Sequence, residues 1–212
     1  MNLPGIDMDP AFDRLALSQW HTPPALALRM ARWAGRGICQ QRIVEPSAGG
    51  GALVKAAIEC GANPTAITAI EVDPRWSKRL VEIGSIGEVA NRDYLTRPAR
   101  DHRYDLALMN PPYEGGADGK FLSKAMDESD RVIALIRTVA LNGDDRHKLV
   151  WRRCANGADF AVTGLAFLSK RPDFGGEHGA MADFVCVKMA RRFLWEAGNM
   201  AVPDCRVEWW AT

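Results

Sequence analysis

Residues 104–113 read Tyr-Asp-Leu-Ala-Leu-Met-Asn-Pro-Pro-Tyr. The first six are a short apolar run bounded by turn formers, the pattern of a buried strand. Proline fixes its own φ and pushes its predecessor toward extended geometry, so Pro111 and Pro112 stiffen the exit from that strand. The carbonyls of Asn110 and Pro111, with the Asn110 amide, then form a fixed array of acceptors at the strand's carboxyl end. Open α/β sheets place their ligands at that end. Tyr113 adds a flat face on which a planar ring can stack. Such a corner suits the holding of an exocyclic or amide NH2 group, although an ordinary strand-ending turn competes until its partners upstream are considered.

Working outward, the chain alternates between strand and helix. Prolines 23 and 24 open a helix over 25–35, with Thr22 as candidate N-cap. A strand over 42–45 runs into Pro46-Ser47-Ala48-Gly49-Gly50-Gly51, and helical periodicity returns over 52–60. A second strand spans 65–72 with a helix over 75–83, a third spans 86–90, and a fifth, after the strand at 104–109, spans 131–137 with a helix over 144–156. This alternation predicts an α/β fold with a mostly parallel, doubly wound sheet. Apolar runs at 165–168 and 184–187 flank a Gly/Pro-rich loop, which predicts a terminal antiparallel hairpin. Residues 1–20 read as an arm, 21–192 as the catalytic domain, and 193–212, with Trp195, Trp209 and Trp210, as a tail packing on the core or on a partner.

Composition narrows the class. The chain has 212 residues, 47% hydrophobic and 25% charged, enough for one sizeable core. A net charge of +1 announces no global basic field for nucleic acid, so any such contact rests on a local rim. Five scattered cysteines without C-x-x-C spacing suggest reduced cytosolic thiols, with neither a metal site nor a disulfide framework. No secretory signal and no run near the ~20 apolar residues of a membrane span are evident, so a cytoplasmic protein is expected.

The glycine turn between the first strand and its helix lets a ligand approach the backbone and the helix N-terminus. Glu71 ends the second strand, twenty residues after Gly51, where an acid can accept from both hydroxyls of a ribose. These features fit any cofactor with an adenosine end, NAD included. Val54 stands where the dinucleotide fingerprint asks for a third glycine, which disfavours tight pyrophosphate packing. Asp93 follows the third strand and can accept from the amino group of an adenine ring, or can simply be a solvated loop aspartate. Glu45, Glu71, Asp93 and Asn110 each fall at the carboxyl end of a successive strand, which predicts a shared crevice.

Glu45-Pro46-Ser47-Ala48-Gly49-Gly50-Gly51, Glu71-Val72-Asp73-Pro74, Asp93-Tyr94-Leu95 and Asn110-Pro111-Pro112-Tyr113 together resemble the successive motifs of S-adenosylmethionine-dependent amino-methyltransferases. They are most similar to the adenine-N6 DNA methyltransferases, and Thr22-Pro23-Pro24 resembles the motif that precedes the glycine loop in the gamma-type order. The resemblance implies a Rossmann-like class I fold with a seven-stranded sheet, and S-adenosylmethionine as cofactor. It puts Thr22, Pro46 and residues 48–51, Ala48, Gly49 and Gly51 among them, at the methionine portion. Glu45 lines that end or orients the loop. Glu71 takes the ribose hydroxyls, with Val72 beside it, although the Val72 side chain itself reads as core, and Asp93 takes the adenine. Asn110, Pro111, Pro112 and Tyr113 form the catalytic set, with Asn110 also facing the cofactor. The implied partner is DNA carrying a flipped adenine, with RNA bases, a protein glutamine or a noncatalytic binding role as alternatives, and a homodimer is possible. No segment is large enough for a separate sequence-recognition domain.

Other residues carry weaker expectations. Arg137, Arg146-His147-Lys148, Arg152-Arg153 and Lys170-Arg171 make a candidate phosphate-contacting rim, and residues 114–119 a candidate lid. His21 and His102 read as isolated and structural or exposed, and Trp151 as a core anchor.

Overall fold

Each parallel crossover in this chain carries the polypeptide back over one sheet face, and the apolar runs become its strands. The computed structural model describes residues 21–35, 37–96, 104–155, 158–174, 182–198 and 201–211. The arm at 1–20, His102 and part of the loop at 171–179 lie outside the described residues. The strands are β1 (Ile43–Glu45), β2 (Ile67–Glu71), β3 (Glu88–Asn91), β4 (Tyr104–Met109), β5 (Ser129–Arg137), β6 (Phe160–Leu168), β7 (Phe184–Arg191) and β8 (Arg206–Trp210). They form one sheet in the order β3-β2-β1-β4-β5-β7-β6-β8. β1 to β5 are mutually parallel, while β7 runs antiparallel to both β5 and β6.

The chain winds outward from β1 to β3, then jumps to the other side of β1 to lay down β4. Loops leaving β1 and β4 therefore diverge, and the crevice between them is the ligand position of a doubly wound sheet. Glu45 ends β1 and Asn110 follows β4 directly. β4 is buried on both faces: Leu106 and Leu108 join one core cluster, Ala107 and Met109 the other. That two-sided burial is why its sequence is continuously apolar rather than alternating.

The principal helices are α1 (Pro24–Trp33), α2 (Ala52–Glu59), α3 (Pro74–Ile83), α4 (Ala117–Glu128), α5 (Asp144–Leu149) and α6 (Phe193–Glu196). α1 packs on α2 through Leu26, Met30 and Leu53, each nearly fully buried. A buried side chain of this size contributes about 1.5–3 kcal/mol relative to exposure. No helix among the described residues is long and apolar enough to cross a membrane.

Four details correct the expectations. The sheet has eight strands rather than seven, because the tail supplies β8, which pairs parallel to β6 and buries Trp210 against Trp33, ring centroids 5.0 Å apart. The helix over 144–156 ends at Leu149, since Val150 leaves helical geometry at φ −123° and ψ −62°. Residues 114–119 are not one loop: a short 3-10 turn (Glu114–Gly116) leads into α4, whose first turn buries Asp118 and Gly119. Thr22 does not cap α1, because the N-cap position is Pro23 and no side chain caps there.

Candidate functional site

The glycine loop is stitched down by backbone bonds. Ala48 N donates to Ile70 O of β2 at 2.9 Å, and Gly51 N donates to Ala48 O at 2.8 Å. Gly51 occupies the left-handed region at φ +78°, and a Cβ there would stand 2.6 Å from Ile83 Cδ1. Only glycine lets α3 approach this turn so closely. Gly51 is also the N-cap of α2, and among the described residues no side-chain cap bond is made there. Pro46 is buried behind the loop.

Glu45 is 2% exposed. Its Oε1 accepts from Ser47 N at 3.1 Å, and among the described residues Oε2 has no hydrogen-bond partner. Burial pushes this carboxyl up to about 8, against which the bonds from Ser47 pull only weakly. Glu45 is therefore mostly protonated at neutral pH. Ser47 Oγ lies 3.1 Å from Asn110 O and 3.4 Å from Glu45 Oε1. One hydroxyl proton serves a single acceptor at a time, so Ser47 ties the β1 loop to the β4 corner only while it donates to Asn110 O.

At the corner, Asn110 Nδ2 donates to Thr22 Oγ1 at 3.0 Å, and Tyr113 Oη donates to Asn110 Oδ1. These two bonds define the amide orientation, with oxygen toward Tyr113 and nitrogen toward Thr22. Tyr113 does not offer a free face here. It is 3% exposed, its ring meets Phe184 edge-on at 5.3 Å, and burial drives its hydroxyl well above the ordinary tyrosine value. Pro111 is buried and Pro112 half-buried.

One solvent-open cavity joins the two corners. Its lining includes Thr22, Glu45, Ser47, Ala48, Gly49 and Asn110, and its volume is about 30 Å³. That is room for about one or two water molecules, well below the ~300–1,000 Å³ of small-molecule sites, so the cavity marks where the two corners meet. Glu71 stands behind the loop: its Oε2 accepts from Gly49 N at 2.7 Å and its Oε1 from Asp73 N at 2.8 Å. Burial raises the Glu71 carboxyl, and those backbone donors oppose the shift. Asp93 is exposed and caps its own turn by accepting from Leu95 N. Val72, expected in the core, is 51% exposed, whereas Ile70 is 1% exposed. Neither Asp93 nor Val72 lines the cavity.

Three contributors escaped the sequence reading. His21 lines the cavity and meets Trp76 edge-on at 4.5 Å, so it is part of the site rather than isolated. Trp76 stands over Gly50, where a Cβ would lie 3.4 Å from its ring. Ser47 was quoted only as part of the motif. The signal for His21 was its place directly before Thr22-Pro23-Pro24, whereas nothing local marks Trp76.

The basic rim divides. Arg153 pairs with Asp127 and Asp159, both at 2.8 Å, and Arg171 pairs with Asp183 at 3.0 Å. Arg137 and Arg146 converge on the buried Asp118, behind Tyr113. Trp151 is partly buried and donates through Nε1 to Ala140 O at 2.9 Å, as a core anchor should.

No family model and no curated protein matches the sequence. Solved structures do match in fold. A provisionally assigned RNA methyltransferase from Pyrococcus horikoshii superposes with a TM-score of 0.65 at 22% identity, covering 85% of this chain and 90% of that one. A provisionally assigned class I S-adenosylmethionine-dependent methyltransferase from Listeria monocytogenes gives 0.66 at 13% identity, covering 98% and 68%. The fold is the Rossmann-like class I methyltransferase fold. A type I restriction-modification methyltransferase subunit from Streptococcus thermophilus gives 0.66 at 16% identity, and this chain, 81% of it covered, spans 44% of that subunit.

Proposed function

We propose that this protein transfers a methyl group from S-adenosylmethionine to the exocyclic 6-amino group of adenine in DNA. The observation that carries the reading is the single cavity shared by the β1 glycine loop and Asn110. In-line transfer needs the donor and acceptor corners on one cavity, and the shared lining supports the reading.

The residues fit the cofactor's amino-acid end. The Glu45 carboxyl, with an unpartnered buried oxygen, would answer an ammonium, and the uncapped first turn of α2 would answer a carboxylate. Gly49 and Gly50, without Cβ atoms, leave room beneath His21 and Trp76. Glu71 would reach the ribose hydroxyls with the lone pairs not directed at Gly49 and Asp73, and Asp93, after β3, would take the adenine amino group. When bound, the cofactor supplies a methyl on a sulfonium, and the protein's contribution is orientation and electrostatics.

Asn110 Oδ1 and the Pro111 carbonyl would accept both protons of the target amine. Holding them favours a tetrahedral nitrogen with its lone pair aimed at the methyl. The amine becomes more acidic as its bond to carbon forms, so these acceptors bind the transition state more strongly than the ground state. The Tyr113 hydroxyl occupies one lone pair of Asn110 Oδ1 and would compete with the amine there, and stacking on an extruded base would also need the Tyr113 ring to leave Phe184. Asn-Pro-Pro-Tyr also suits amines on RNA bases, and the similarity to the Pyrococcus protein gives RNA second place.

Labelled-methyl transfer to separate DNA, RNA and protein pools, followed by nucleoside mass analysis, tests the reading. N6-methyladenine in DNA is expected. Label confined to RNA or protein, or none anywhere despite cofactor binding, overturns it.

A further inference from the structure

We propose that Arg137 is a positioning residue for the Asn110–Tyr113 corner, acting through the Tyr113 carbonyl and itself held by the buried Asp118. The proposal rests on the reading that this corner receives the target amine. β5 pairs with β4 as far as Met109↔Ala134, so Arg137 lies three residues further on, where β4 has already turned into the proline corner. Its Nη2 donates to Tyr113 O at 2.5 Å, and its guanidinium carbon stands 5.5 Å from the Tyr113 ring centroid. One side chain therefore grips both the backbone and the ring of the same residue.

The corner needs such a grip. Pro111 and Pro112 have fixed φ but no N–H, so they cannot tie the backbone to the sheet by donating. The Tyr113 carbonyl is the first acceptor after them, and a guanidinium makes a charge-assisted bond to it. Arg137 is in turn restrained from behind. Asp118 is fully buried in the first turn of α4, with Oδ2 3.9 Å from Arg137 Nη2. Its Oδ1 accepts from Gly119 N at 2.9 Å and from Arg146 Nη2 at 3.4 Å. Oδ2 has no hydrogen bond of its own, so two guanidiniums carry the neutralisation of this charge. α4, β5 and α5 thus converge on one carbonyl of the motif. This assignment replaces the phosphate-rim role for Arg137, whose Nη2 is committed inward and whose Nε is buried.

Arg137→Lys, Asp118→Asn and the double variant test it, with three readouts. In steady-state methylation, Arg137→Lys should lower kcat by roughly 10–100-fold, since small misplacements of reacting groups cost that much, with cofactor Kd unchanged. The double variant should be no worse than the more damaged single variant, because both act through one contact. The salt dependence of oligonucleotide binding should be unchanged, whereas loss of a phosphate contact would reduce its slope by about 0.7–0.9. A reduced slope with normal kcat, or additive effects, overturns the proposal. Hydrogen exchange of the peptide spanning 110–116 needs no substrate: Arg137→Lys should speed it roughly tenfold while β1 and β2 peptides stay as in the wild type. If the wild type methylates no nucleic acid yet the exchange result holds, the functional reading fails and the anchoring stands. Unchanged exchange overturns the anchoring whatever the substrate is. Arg137→Lys alone decides the matter if Asp118→Asn does not fold.

Discussion

Glu45→Gln should make the protein more stable at alkaline pH. The Glu45 carboxyl is buried and held near 8, against an ordinary value of 4.5. Below pH 4.5 it is protonated in both folded and unfolded chains and favours neither. Between 4.5 and 8 the unfolded chain releases the proton while the folded chain keeps it, so the folded state binds more protons and stability falls as pH rises. At about 1.4 kcal/mol per pH unit, the full span from 4.5 to 8 is worth about 5 kcal/mol. Glutamine has nearly the same shape and no proton to lose. Urea unfolding of both proteins should therefore show the advantage of Glu45→Gln growing by about 3–4 kcal/mol from pH 5 to pH 8. Glu71 is raised in the same direction and its charge helps to raise Glu45, so its own contribution cancels only in part in the difference. The same carboxyl should couple to the cofactor. If its ammonium pairs with ionised Glu45, binding at pH 7 releases close to one proton, and affinity rises about tenfold between pH 6 and 7. Calorimetry in buffers of different ionisation heat measures that release. Parallel stability curves for the two proteins, together with buffer-independent binding heats, would refute the protonated-carboxyl argument.

Asn110→Ala should lower kcat by about 10²–10³-fold, as loss of one preorganised transition-state partner does, while cofactor Kd measured by calorimetry changes far less. Glu71→Ala removes the acceptor of Gly49 N and Asp73 N and should weaken cofactor binding at least tenfold in the same assay, whereas unchanged affinity would remove its ribose role. Thr22→Val removes the Oγ1 acceptor that Thr22 offers the Asn110 amide, so kcat should fall roughly tenfold and Thr22→Ser should restore it. Gly51→Ala, at φ +78° with a Cβ 2.6 Å from the Ile83 Cδ1 methyl, should cost about 1–3 kcal/mol in urea unfolding, mostly backbone strain, and an unchanged midpoint would refute it.

Much of the architecture was legible because β4 and β5 are buried on both faces, which leaves continuous apolar runs no polar surface can mimic. α4 was missed because Glu114-Gly115-Gly116-Ala117-Asp118-Gly119 has the composition of a loop. The helix forms because Phe121, Leu122, Ala125 and Met126, at helical spacing, bury one face on the sheet, and tertiary burial outweighs two weak residues in its first turn. β8 alternates acceptably as Arg-Val-Glu-Trp-Trp, yet nothing local says that β6 presents an unpaired edge to it. The inward turn of Tyr113 was equally invisible. It depends on Phe184, which itself meets Phe174, and both arrive from the distant hairpin.

The motifs announce which groups are present, and the contacts between them decide what state they rest in. Glu45 and Asn110 are 65 residues apart in sequence and adjacent here only because the winding reverses between β1 and β4. Ser47 then makes that adjacency chemical, since its hydroxyl can serve the Glu45 carboxyl or the Asn110 carbonyl. Ionising Glu45 strengthens its claim on that proton and loosens the tie to the corner. Thr22 adds a second link from the cavity wall to the Asn110 amide, and Tyr113 closes the acceptor that the target needs. The Glu45 carboxyl thus reaches the β4 corner through the Ser47 hydroxyl and the Asn110 backbone carbonyl. If the proposed function holds, binding at the glycine-loop corner and binding at Asn110 should be coupled events, with Glu45 ionisation setting the strength of the Ser47 tie between them.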